Sequence, residues 1–422
     1  MSSYDFSTLD GQLKMRYATK IVRAVPSTRV IQKLVPFSNA DKVGDKFNMP
    51  VMLTEDAGFS YTDPNGGLVT LNDAVAAQMK NAEVSGAEII ERSAMTYSQL
   101  ARSVAPGAAF QNTFDVVMKN MVDSSSKRVE LAMLYGQVGI AKAASSANVN
   151  ATSTNVTITA ASWAAGIWSG LENTKVNFYN AGSLVSSGSD AIFTVSTVST
   201  TSRVVKFTGT ATGIAALDTA IAANPNVLDV FFQGAYGLEM AGLAKIIANT
   251  STLFGIDAAT YSLWKSNDIT TSGSLTFAKI MDAVATCANR GLEEDVVVLV
   301  NPSAYQVLSN DQASLRKFDS SYDKNNGTNG FASLEFYGPS GVIKIVPHIY
   351  VKTGEAYVIN PNDISRIGAS DISFQTPGKN ANNYQMFWDL PSQNGCELRL
   401  YTHQAIIAGR PAQMARLSGF TV

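Results

Sequence analysis

The spacing of apolar positions changes repeatedly along this chain, and each change predicts a different element. Residues 1–44 are mixed and weakly periodic, and VPSTRVIQKLVPF (Val25 to Phe37) has a proline near each end. Proline restricts its predecessor to extended backbone, so this stretch predicts an arm lying on another surface. Residues 45–80 predict a long hairpin. DKFNMPVML leads out, the turn is Asp63-Pro64-Asn65-Gly66-Gly67, and the return runs into AAQMKNAEVSGAEIIERS. Proline presets one turn angle and the glycines permit positive φ. Two strands alone are marginal in water, so the hairpin requires a partner surface. The flanking Phe59, Tyr61, Leu68, Val69 and Leu71 suit contact with a foreign surface.

Residues 81–147 contain a proline-free run from Ala108 to about Lys142, in which Phe110, Phe114, Val117 and Met121 recur at helical spacing. This predicts one long helix. From 148 to 236 the texture turns to Ser, Thr, Ala and β-branched residues with period two: Val156/Ile158, Val176/Phe178, Phe193/Val195 and Val205/Phe207. Gly, Ser and Asn separate these pairs, which predicts a β-rich inserted lobe. Residues 237–370 alternate helical and short buried-strand patterns, and 371–422 end in the strand-like FWDL and CELRLYTHQAII.

A length of 422 residues predicts two or three lobes. Charged residues make up only 16% of the chain while apolar ones reach an ordinary 45%. Scarce charge fits a surface covered by subunit interfaces, whose cores are charge-depleted, and equally a monomer with a Ser/Thr/Asn-rich surface. The net charge of −2 supplies no global drive toward nucleic acid. Residues 1–33 are locally basic, with Lys14, Arg16, Lys20, Arg23, Arg29 and Lys33 against Asp5 and Asp10, which suffices for loose attraction to phosphate. Two cysteines imply no disulfide framework, no basic-then-apolar N-terminal run marks a secretory signal, and no stretch reaches bilayer length. No membrane partner is expected.

Catalytic and metal motifs are missing, so no cofactor and no enzyme activity are expected. His348 and His403 have no Cys or His at ligand spacing and read as hydrogen-bonded structural residues. Cys287 lies on the apolar side of a predicted helix and Cys396 beside Glu397, with no base or cationic setting visible near either. Gly338-Pro339-Ser340-Gly341 lacks both phosphate-loop and nucleophile-elbow spacing. Trp163 and Trp168 have no basic neighbour and read as packing residues, whereas Tyr261, Trp264 and Lys265 fit an interface or a core equally.

From Gly237 the order of segments is GLEMAGLAKIIANTSTLFGIDAATYSLWKSN, SLTFAKIMDAVATCANRG, EEDVVVLVNPSAYQVLSN, then GVIKIVPHIYVKTGEAYVINPNDI. This succession resembles the axial (A) domain of tailed-phage major capsid proteins, which share the Hong Kong 97 fold. The preceding features follow the same family in order: arm, extended E-loop (45–80), peripheral (P) domain with spine helix (81–147) and β insertion (148–236). The tail (371–422) would return to the P and A domains. The resemblance implies an α+β fold and a coat protein assembling through itself into pentamers and hexamers, with the E-loop tip, Asp63 to Gly67, on an adjacent subunit. It also implies a shell around double-stranded DNA touched without sequence recognition, a portal, and assembly in the host cytoplasm before incorporation in the virion. No acidic, coiled-coil-like leader opens the sequence, so a separate scaffolding protein is expected. An encapsulin-like cargo shell is the alternative within the fold, and a Ser/Thr-rich surface adhesin the alternative outside it.

Overall fold

A computed structural model describes residues 25–26, 28–42, 44–104, 113–310, 334–339, 341–374 and 387–422. Most of the basic residues of the arm, Phe110 of the helical stripe, and Ser340 lie outside them. Three large sheets, with two two-stranded ones beside them, are arranged around one long helix, Thr113–Tyr135. The C-terminal half of that helix is buried nearly all round, from Ser125 to Tyr135. A helix covered on every side can be the common wall of several lobes.

The first sheet orders Phe37–Lys42, Ile364–Ser373, Gly395–Ala408 and Phe387–Asp389, with Ala87–Thr96 paired along the other side of Gly395–Ala408. Leu398 and Leu400 alternate toward the long helix and meet Met121 and Met95 there. The second sheet has six strands, in the order Asn267–Thr270, Ala415–Ser418, Glu355–Ile359, Val296–Val300, Val342–Pro347 and Leu334–Tyr337. Its central strand VVVLV is buried throughout because both faces are covered. Val296, Val298 and Val300 face the helices Phe277–Ala288 and Pro302–Asn310, whereas Val297 and Leu299 join the main core.

The third sheet closes on itself. Ala141–Asn150, Ser153–Ile158, Val204–Thr208, Phe193–Ser199, Lys175–Asn180 and Asp229–Phe232 pair antiparallel in a ring, the last strand returning to the first. A closed six-stranded barrel leaves no open edge along that ring. The eight alternating residues from Val156 to Phe207 all point inward with 0% exposure. Phe178 meets Phe193 and Phe207 edge to face, with ring centroids at 5.3 and 5.2 Å, so aromatic packing fills the lumen.

Several expected boundaries move. Val30–Leu34 is a short helix within the supposedly extended arm, tied to the long helix by Arg29–Asp123 at 2.7 Å and by Gln32 Nε2 donating to Ser126 O. The long helix ends at Tyr135, not near Lys142. Gln137 (φ 66°) and Gly139 (φ 93°) are left-handed, and a Cβ on Gly136 would lie 2.1 Å from the Met240 carbonyl. Barrel residues therefore begin at Ala141, within the span assigned to the spine helix. Inside the lobe, Ala211–Ala223 is a helix that the β pattern concealed. Thr210 caps it by accepting from Gly213 N, and Ile214, Leu217 and Ile221 pack onto the barrel. Gly213 is required there, because a Cβ would meet Asp190 O at 2.3 Å. Finally, Ile364–Ser373 pairs in the first sheet while Ala415–Ser418 lies within the six-stranded sheet, so strands from 237–370 and from 371–422 are shared between the two sheets.

Phe178 lies at the centre of the barrel's aromatic contacts. Phe178→Ala should lower unfolding free energy by about 3–5 kcal/mol in chemical denaturation, the usual cost of an aromatic cavity. A loss below about 1 kcal/mol would mean that the lumen collapses around the gap.

Candidate assembly site

The hairpin is built as a projection. Phe47–Met52 pairs antiparallel with Met79–Val84, in register from Phe47 opposite Val84 to Met52 opposite Met79. Near its base Glu83 N donates to Phe254 O (2.8 Å), and just past the far end of the paired stretch the Tyr261 hydroxyl donates to Gln78 Oε1 (2.8 Å) opposite the buried Leu53, so the hairpin is fastened to the body along its whole ladder. Beyond Met52 the ladder thins to isolated bonds: Leu53 N to Gln78 O, Ala77 N to Asp56 Oδ1, Ala57 N to Val75 O, and Asn72 N to Ser60 Oγ. Asp63 holds the tip, its carboxylate accepting from Asn65 N (2.9 Å) and its carbonyl from Gly66 N (3.1 Å). Pro64 starts that turn, Gly66 takes φ 72°, and nothing approaches within 4 Å of where Cβ atoms on Gly66 or Gly67 would sit.

Apolar side chains line this projection without cover. Tyr61 is 91% exposed and Leu68 fully so, and Phe59, Leu71, Val75 and Met79 are also more than half exposed. Scattered exposed apolar residues are normal on a protein surface, but a run of them on one thin hairpin marks a contact surface. Between Leu53 and Gln78 the charges are Glu55, Asp56, Asp63 and Asp73, with no lysine or arginine. The projection is therefore apolar and acidic.

A fully enclosed polar junction lies on the long helix. Glu130, in the middle of the long helix, is 0% exposed. Its Oε1 accepts from Ile31 N (2.7 Å) and from His348 Nε2 (2.9 Å), and its Oε2 from Gln32 N (3.2 Å). His348 Nδ1 accepts from Tyr350 N (3.1 Å), so the ring proton must sit on Nε2, facing the carboxylate. One carboxylate thus joins the N-terminal helix, the long helix and the loop after Val342–Pro347. A buried carboxylate is tolerated only when its lone pairs are taken, and here three donors take them.

The remaining singled-out residues pack. His403 accepts from Ala369 N (3.2 Å) in the first sheet. Trp163 and Trp168 stack at 6.4 Å and are buried, and Trp264 is fully enclosed with its Nε1 donating to Leu253 O (2.9 Å). Of the two readings open for that cluster, Trp264 takes the core, while Tyr261 anchors the hairpin. Cys287 is buried, and burial pushes its thiol up to about 12. Among the described residues no three of His, Cys, Asp or Glu converge on a point where they could hold a metal ion. Sequence reasoning did not find Glu130 or Lys352. The ammonium of Lys352 is enclosed 4.1 Å from the Tyr135 ring and donates to Gly139 O, and burial lowers its pKa. An isolated acid within an apolar helix stretch was the available signal for Glu130.

Comparison with known families decides what this architecture serves. The model of the SU10 major capsid protein family matches residues 139–379, more than half the chain. The chain belongs to the SU10 major capsid protein family. The match runs from just before the barrel through five of the six strands of the second sheet, so the inserted barrel lies within the family's matched region. The fold is that of Hong Kong 97-type capsids, shared with solved structures of low sequence identity. The cyanophage A-1(L) capsid asymmetric unit aligns with TM-score 0.54 at 11% identity, covering 98% of both chains. A capsid of a native GTA particle aligns with TM-score 0.52 at 8% identity, covering 100% of both chains. No curated protein matches the sequence significantly. Family membership makes the chain a phage coat protein that forms the head shell, and a surface adhesin is set aside.

The thiol environment gives a direct test. With its pKa near 12, Cys287 should stay unlabelled by a thiol-specific reagent at pH 8 in the native protein and react on denaturation. Fast native labelling would show that the helix Phe277–Ala288 opens readily.

Proposed function

We propose that this coat protein closes its shell by laying the hairpin 45–80 of each subunit across a neighbouring copy. The observation that carries this is the run of uncovered apolar residues from Phe59 to Leu71, on the outer part of a projection that is fastened to its own subunit as far as Leu53 and Gln78. Burying such residues is worth about 25 cal/mol per Å² of apolar surface, and a shell repeats the contact in every subunit. The acidic charge of the hairpin selects a receiving surface without excess carboxylates. The tip, Asp63 to Gly67, sets the turn that brings both apolar flanks to one end.

On this reading subunits group as pentamers and hexamers with the six-stranded A-domain lobe toward their centres. The role is structural, not catalytic. The enclosed cargo is double-stranded DNA, met through phosphate by local basic segments such as residues 1–33, for which a nearly neutral chain suffices. A separate scaffolding protein and a portal complete the head in the host cytoplasm. An encapsulin-like compartment would differ in its contents, so nucleic acid in purified shells separates the two.

Replacing residues 60–70 by a short Gly-Ser turn should leave the subunit's circular dichroism and thermal unfolding nearly unchanged. Assembly, followed by sedimentation and electron microscopy, should fail or give fragile shells. A misfolded monomer would place the hairpin within its own core, and normal shells would remove it from assembly.

A further inference from the structure

Four Asn-Gly pairs occur in the sequence: Asn65-Gly66, Asn326-Gly327, Asn329-Gly330 and Asn394-Gly395. The middle two lie outside the described residues. Glycine carries no Cβ, so in such a pair nothing on the following residue shields its backbone nitrogen from the asparagine side chain. The two described pairs sit in opposite settings. Gly395 is buried in the first sheet, where it stands opposite Thr96, donates to Gln393 O (2.9 Å) and accepts from Leu390 N (3.1 Å). A Cβ there would lie 2.5 Å from Met95 O, so this backbone cannot rotate without opening the ladder. Gly66 is exposed at the hairpin tip. One bond to Asp63 O (3.1 Å) holds its nitrogen, and nothing comes within 4 Å of its Cβ position. Asn65 is exposed as well. Its backbone N–H donates to the Asp63 carboxylate (2.9 Å), and its side-chain amide makes no hydrogen bond among the described residues.

We propose that Asn65 is a spontaneous modification site, where the backbone nitrogen of Gly66 closes a ring on the Asn65 side chain in unassembled subunits, and that assembly closes the site. The nitrogen gives up its proton and attacks Cγ of Asn65. A C–N bond forms, a five-membered succinimide results, and the side-chain amide nitrogen leaves with that proton as ammonia. Water, the one co-reactant, then adds to either ring carbonyl and breaks its bond to the nitrogen, which regains a proton. Opening at the side-chain carbonyl leaves aspartate. Opening at the main-chain carbonyl leaves isoaspartate, in which the chain runs through the former side chain. Either product adds a carboxylate to a hairpin that already carries Glu55, Asp56, Asp63 and Asp73. Isoaspartate also lengthens the turn that brings the two apolar flanks together. The tip therefore records how long a subunit has waited to assemble. Protection by assembly rests on the hairpin crossing a neighbouring copy, whereas the ring closure does not.

Purified full-length subunits and purified shells, incubated in parallel in heavy-oxygen water and mapped by peptide mass spectrometry, test this, because only carboxyls made during the incubation carry the label. In subunits Asn65 should convert about tenfold faster than Asn394, whose pair must first open from its ladder. Aspartate and isoaspartate should both appear. In shells the Asn65 rate should fall to about that of Asn394. Asn65→Gln, whose longer side chain would need a six-membered ring, should stay unconverted and still assemble. Conversion of Asn65 no faster than Asn394, or aspartate without isoaspartate, would overturn the modification site and leave the hairpin's role standing. Fast conversion at equal rates in subunits and shells would keep the chemistry, overturn its closure by assembly, and count against the tip lying on a neighbour.

Discussion

A single buried carboxylate fixes how the lobes of this subunit meet. Glu130 lies where the long helix passes between the N-terminal segment and the loop after Val342–Pro347 of the six-stranded sheet, and its oxygens accept from two backbone amides and one imidazole. Hydrophobic packing alone permits small slides between a helix and its neighbours. Three directional bonds to one side chain do not. The arrangement has a corresponding cost, since losing the acceptor strands three buried donors, each worth about 1–3 kcal/mol when unsatisfied. The N-terminal helix Val30–Leu34 and the His348 loop therefore move with the long helix or not at all.

This junction explains how a rigid body and an open hairpin coexist in one chain. Around the long helix, the barrel closes its own edges and the six-stranded sheet is covered on both faces, so neither offers its central strands to a neighbour. The hairpin Phe47–Val84 is the contrasting element: fastened along its paired stretch by Phe254, Tyr261 and the buried Leu53, and bare from Phe59 to Leu71. Apolar surface left uncovered on an otherwise well-packed subunit is what a coat protein needs in order to find its neighbours. Membership of a major capsid protein family makes the chain a coat protein, and the division between packed body and open hairpin is the part we propose for it.

Much of this was legible in the sequence, for physical reasons that can be named. Period-two alternation identified the inward-facing residues of the barrel because a half-buried strand must alternate, and all eight proved fully enclosed. Pro64 and the following glycines identified the turn because few residues tolerate its angles. Closure of the ring was not legible, since pairing of Asp229–Phe232 with both Ala141–Asn150 and Lys175–Asn180 is a long-range property. The helix Ala211–Ala223 was hidden by its Ser/Thr-rich surroundings, although the Thr210 cap and Pro225 beyond its end were readable signals. Glu130 was missed because nothing local shows that its donors come from residues 31, 32 and 348.

The most direct test is a double-mutant cycle between Glu130 and His348, using Glu130→Gln, His348→Gln and the pair, read by chemical denaturation of the unassembled subunit. Each single change should destabilise markedly, and the coupling energy should be about 1–3 kcal/mol, as for a buried hydrogen bond to a charged group. Additive effects, with coupling near zero, would contradict the claim that this carboxylate locks the lobes together.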